Sequence, residues 1–112
     1  MTIFEKTSRL IRVLKIEDHY EQLQEACREH QVKELYVFGS YCTGRFNDQS
    51  DLDFMVNFDR SGFEGAFDQF MGFKEKLEAI YQRPIDLLPL KPFRNTVFQQ
   101  EVENSRRLVY AA

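Results

Sequence analysis

The stretch Asp51-Leu52-Asp53-Phe54-Met55-Val56-Asn57-Phe58 alternates in character, and this constrains the chain more than any other feature. At strand periodicity, Leu52, Phe54, Val56 and Phe58 form an apolar face, with Asp51, Asp53, Met55 and Asn57 on the opposite one. The segment is therefore predicted as a half-buried strand with two neighbouring carboxylates, whose Cα atoms stand ~6.6 Å apart. Adjacent like charges on such a strand are costly unless a cation neutralises them. Converging carboxylates at this separation suit two divalent cations ~3.5–4 Å apart, the arrangement that serves in-line displacement at phosphorus. Mg²⁺ fits best, since it takes hard oxygen ligands from a few carboxylates and from substrate phosphates.

Two further segments supply what such a site needs. Leu35-Tyr36-Val37-Phe38 is an apolar, aromatic and β-branched run of strand length, and Gly39 ends it. Without a Cβ, Gly39 allows close approach of a ligand to the backbone, and Ser40 adds a hydroxyl donor. A short helix or turn over Tyr41 to Phe46 would turn its N-terminus towards the same anion. The third segment, Pro84-Ile85-Asp86-Leu87-Leu88, is a short apolar run from which Asp86 points away from Ile85 and Leu87. A half-buried lone carboxylate needs a partner, and a metal is one candidate. An isolated Asp-x-Asp is also what a solvated strand edge carries. The Gly-Ser turn at this spacing, between two apolar strands, favours the functional reading.

These placements imply a topology. Gly39 ends the first strand and Asp51 starts the second, so they meet only if those strands run antiparallel. Asp86 lies near the start of the third, which must then run parallel to the second across a helical crossover of about twenty residues. The expected class is α/β (α+β), with a mixed sheet of at least three strands and flanking helices. Asp18 with Glu21 marks one helix start, followed by a stripe of Tyr20, Leu23, Cys27 and His30. Ser61 with Glu64 forms a capping box for a helix whose face is Phe63, Phe67, Phe70, Lys74 and Leu77, with Phe73 and Ile80 alongside. That aromatic stripe is expected in the core. Pro92 suits the first turn of a last helix running to about Arg107. Residues 1–16 are read as an N-terminal extension to a domain over 17–112, with Leu10 to Leu14 either packing on that domain or contacting a partner.

Composition bounds the function classes. The chain has 112 residues, enough for one domain with a real core, and eleven Phe argue for a folded chain. A net charge of −3 argues against a general grip on nucleic acid, but a nucleotide arriving with Mg²⁺ is compatible with an acidic site. Cys27 and Cys42 lack metal-ligand spacing and read as ordinary thiols. No stretch reaches the length of a membrane span and no signal peptide opens the chain, so a cytoplasmic protein is expected.

The segment from Gly39 to Asp53 resembles the signature of the minimal nucleotidyltransferases, within the DNA polymerase β-like nucleotidyltransferase superfamily. The likeness runs from about Val32 to the C-terminus, the tail from Lys91 to Tyr110 included. By this resemblance Gly39 and Ser40 contact the nucleotide triphosphate, Asp51 and Asp53 hold two Mg²⁺ ions, and Asp86 is the third catalytic carboxylate and metal ligand. Many members carry Arg just before the glycine that stands here at Gly44. This chain has Thr43 there, with Arg45 offering a nucleotide-binding charge from the following position. The family's fold agrees with the mixed sheet derived above. The family also implies a role as an antitoxin that transfers AMP from ATP to a helical HEPN-type toxin protein. Alternatives are a non-catalytic antitoxin that acts by contact, or a small-molecule transferase of the aminoglycoside-modifying kind. A homo-oligomer is compatible with any of these.

Overall fold

The computed structural model describes residues 14–47, 49–59, 65–92 and 94–112. A 3-10 turn (Ile16–His19) leads into α1 (Tyr20–Glu29), β1 (Val32–Phe38), α2 (Ser40–Thr43) and β2 (Leu52–Phe58). There follow α3 (Ala66–Tyr81), β3 (Ile85–Pro89), α4 (Thr96–Ser105) and β4 (Arg107–Ala111). The sheet runs β3-β2-β1-β4. β1 is antiparallel to β2 and to β4, whereas β2 and β3 are parallel and joined across α3. The mixed sheet and the two expected strand directions are therefore present, with one strand more.

Alternation along the strands sorts the two faces. Leu35, Val37, Leu52, Phe54, Val56, Ile85 and Leu87 enter the main core, where α1 contributes Leu23, Ala26 and Cys27 and α3 contributes Phe73, Leu77 and Tyr81. Burying each large side chain is worth ~1.5–3 kcal/mol. Phe58 and Phe73 meet edge-to-face at 5.8 Å. The buried amide of Gln69 donates to the His30 carbonyl at 2.7 Å, which ties α3 to the end of α1. Tyr81 Oη donates to the Ile16 carbonyl and Ile16 N–H donates to Tyr41 Oη, so both backbone groups of this buried residue are satisfied. On the opposite face, Phe38, Met55 and Val102 form a second cluster with Tyr36, Leu88 and Leu90. Helix α4 thus covers part of the face that carries Asp53.

Several local expectations are corrected. The last helix does not run from Pro92 to Arg107: it starts after Asn95, whose Oδ1 accepts from Val97 N and Phe98 N at 3.0 and 3.1 Å. The chain turns extended at Arg106, and Leu108-Val109-Tyr110 pair with the otherwise open edge of β1. In α1 the buried stripe is Leu23, Ala26 and Cys27; Tyr20 is exposed, and His30 caps the helix with Nδ1 against the Ala26 carbonyl. In α3, Phe67 is 74% exposed, because it lies two residues, about 200° of helical turn, from the buried Gln69. Phe73, Phe70, Leu77 and Ile80 do pack on the core. Met55 shares a face with Asp53 as expected but is buried beneath α4. The Ser61–Glu64 capping box, Phe63 and Leu10 to Val13 lie outside the described residues, while Leu14 packs on the main core.

Candidate active site

The site is assembled by strand register at one end of the sheet. Phe38, the last residue of β1, pairs with Asp53 of β2, and Asp53 in turn pairs with Asp86 of β3. Register partners in neighbouring strands share a face and stand ~4.8 Å apart, so the Asp53 and Asp86 carboxylates emerge side by side. Asp53 is half-buried and Asp86 exposed, and Asp51 lies exposed just ahead of β2. Burial above all, then the charges of Asp86 and Asp51, raises the Asp53 carboxyl to about 6. The three groups therefore act as one electrostatic unit.

Gly39 is a requirement of this arrangement. Its φ of 72° and ψ of −146° lie where residues with a Cβ are strained. A Cβ placed there would run into the Asp53 carboxylate. The glycine thus makes room for Asp53 as well as exposing the backbone beside it. Ser40 opens α2, a single turn closed by Gly44 in the left-handed conformation. The Ser40 carbonyl accepts from Arg45 N at 3.2 Å and from Thr43 Oγ1 at 3.5 Å. Thr43 therefore completes the turn, and Arg45 is exposed directly beyond it.

Among the described residues, no three His, Cys, Asp or Glu side chains are gathered into a ready-made metal cage. The donors present are hard, anionic and mutually repelling, which fits a Mg²⁺ ion that takes its remaining ligands from substrate phosphates and water. A cavity of about 700 Å³ opens at the opposite end of the sheet, between Arg28, Lys33, Asn57 and Tyr110, and contains none of these aspartates.

Sequence reasoning gave no role to Arg83. Its Nη1 donates to the Asn47 and Ser50 carbonyls at 3.3 and 3.0 Å, and its guanidinium lies 4.5 Å from the Phe46 ring centre. Its Nε is buried without a hydrogen-bond partner among the described residues. Next to it, the Pro84 carbonyl accepts from Leu52 N at 3.2 Å. An Arg three residues ahead of a candidate aspartate was the one available signal.

The nucleotidyltransferase domain profile matches residues 20–109. A relative from Methanocaldococcus jannaschii, provisionally named a protein adenylyltransferase, is 32% identical over 82 residues, which is 73% of this chain and 79% of that one. Among solved structures, a provisionally assigned minimal nucleotidyltransferase superposes with a TM-score of 0.63 at 22% identity, over 82% of this chain and 90% of that one. A toxin–antitoxin complex with AMP-PNP gives 0.61 at 21%, over 83% and 73%. The MNT antitoxin with tri-AMPylated HEPN toxin of Shewanella oneidensis gives 0.56 at 18%, over 86% and 72%. At these identities the three structures establish a common fold. No described helix is long and apolar enough to cross a membrane. The profile spans most of the chain, from α1 into β4, and with it the chain belongs to the nucleotidyltransferase domain family.

Proposed function

We propose that this enzyme is a Mg²⁺-dependent adenylyltransferase that moves AMP from ATP to a hydroxyl of a helical HEPN-type partner and thereby acts as an antitoxin. The observation that carries this reading is the Gly39 turn set against Asp53, itself register-paired with Asp86. Enzymes of the family generally depend on Mg²⁺. The partner and the nucleotide are suggested by the similar structures, which hold a HEPN toxin in one case and AMP-PNP in another.

Asp51, Asp53 and Asp86 would hold two Mg²⁺ ions, which on binding lower the pKa of the acceptor hydroxyl and offset the charge of the triphosphate. The chain's own groups do the rest. The Gly39–Ser40 backbone and the Ser40 hydroxyl donate to phosphate oxygens, and Arg45 adds charge from the end of the turn. Exposed Asp86 takes the proton of the acceptor hydroxyl. The acceptor oxygen bonds to the α-phosphorus while the bond from that phosphorus to the departing pyrophosphate breaks. No covalent enzyme intermediate is required.

The test is to incubate the protein with ATP, Mg²⁺ and the HEPN-type product of an adjacent gene, then weigh the intact partner. A gain of one or more AMP units that disappears with Asp53→Asn supports the proposal. Tight binding without a mass gain favours a non-catalytic antitoxin. AMP found only on a small molecule favours the aminoglycoside-type reading.

A further inference from the structure

We infer that Arg83 is a positioning residue that sets the divalent-cation site by clamping the loop ahead of β2 to the chain entering β3. The inference rests on the proposed role of Asp51, Asp53 and Asp86 as cation ligands. None of the described residues between Arg45 and Asp51 lies in a helix or strand. Local bonds shape it: Ser50 N donates to the Asn47 carbonyl at 3.0 Å, Asn47 N to Ser50 Oγ at 3.0 Å, and Gln49 N to Asn47 Oδ1 at 2.8 Å. These fold the loop on itself but do not fix it to the sheet.

Arg83 does so. One nitrogen of its guanidinium bonds both the Asn47 and Ser50 carbonyls, and the same planar group lies over Phe46. Ser50 directly precedes Asp51, and Arg83 stands three residues ahead of Asp86. A single side chain thereby joins the two segments that deliver these carboxylates. Phe46 extends the connection, because its ring meets Tyr41 edge-to-face at 5.3 Å, one residue beyond Ser40. The series Tyr41, Phe46 and Arg83 thus links the Gly-Ser turn to the start of β3.

The experiment compares wild type with Arg83→Gln, Arg83→Lys and Phe46→Leu. Mn²⁺ binding to the nucleotide-free protein is followed by electron paramagnetic resonance, alongside thermal melting and the Mg²⁺ dependence of AMP transfer. Arg83→Gln is expected to weaken Mn²⁺ binding by about tenfold, the lower end for residues that orient metal ligands. The Mg²⁺ needed for half-maximal transfer should rise in step, with KM for ATP at saturating Mg²⁺ changing less than about twofold. Arg83→Lys should restore only part, since an ammonium cannot lie flat on the ring as it donates. Phe46→Leu should shift Mn²⁺ affinity in the same direction by less, and it decides the matter should Arg83→Gln fail to fold. Lower melting temperatures with wild-type Mn²⁺ affinity in these variants would overturn the inference, as would a wild type that binds no Mn²⁺. A weakened Mn²⁺ affinity in a protein whose wild type transfers no AMP would uphold the positioning role and sink the proposed function instead.

Discussion

The two faces of the sheet are made from alternate residues of the same strands, yet they are built to opposite rules. Under α1 and α3 the face is wholly apolar and closed, from Leu35 through Phe54 to Leu87. On the α4 side, Phe38, Met55 and Val102 are the buried apolar cluster among the described residues, and beyond them the face ends in Asp53 and Asp86. Asp53 and Phe54 are neighbours in sequence but belong to different machines. The closed face gives the sheet enough stability to carry a half-buried, repelling carboxylate on the other. A truncation on the closed face should therefore lower stability and spare transfer, whereas loss of a carboxylate on the other should lower transfer without lowering stability.

The largest expected effect tests the closed face. Phe54→Ala should remove ~3–5 kcal/mol of stability by leaving a cavity between the sheet and Tyr81, measured by urea unfolding. Transfer per folded molecule should hold; its loss without a loss of stability would break the division between the faces. Next comes Asp53→Asn, which should lower transfer by roughly 10²–10³-fold while leaving the fold intact. Here pH sharpens the comparison. Between an ordinary carboxyl value of 3.8 and about 6, the folded metal-free protein holds the Asp53 proton more tightly than the unfolded chain does. The stability linked to that group is thus full below pH 4 and lost as pH rises through 6. Asp53→Asn should therefore melt higher than wild type above pH 6 without metal, with the advantage vanishing below pH 4. An unchanged difference across that range would mean that Asp53 is not under the strain ascribed to it.

Gly39→Ala ranks third, as it acts on both observables. The strained backbone should cost ~1–3 kcal/mol, and displacement of the Asp53 carboxylate should weaken Mn²⁺ binding. A loss of stability alone would place Gly39 outside the site. The smallest effect belongs to Glu17→Gln. Its ion pair with Arg107 spans 3.0 Å, but both side chains are more than half exposed, so chemical unfolding should shift by under ~1 kcal/mol.

Much of this organisation was legible in the chain. The alternation from Leu52 to Phe58 identified β2 and its two faces, and the positions of Gly39, Asp51 and Asp86 required the strand directions found. What escaped was set by long-range partners. Leu108-Val109-Tyr110 follows a helix and reads as its tail; pairing with β1 makes it a strand. Gln69 is buried and Phe67 is not, because a carbonyl at His30 awaits the amide of the former. Arg83 resembles any loop arginine until carbonyls 36 and 33 residues away are brought to it.

The place of β4 also bears on the order in which the molecule forms. Phe38 and Asp53 pair across fifteen residues of chain, whereas Val37 and Arg107 pair across seventy. Closing the longer loop costs about 1.4 kcal/mol more in chain entropy. The β1–β2 hairpin, and with it the meeting of Gly39 and Asp53, should therefore precede the docking of β4, which seals the outer edge of β1 last. The reverse holds for opening. Amide hydrogens of β4 should exchange with solvent before those of β2, by brief detachments that leave the carboxylate end of the sheet intact.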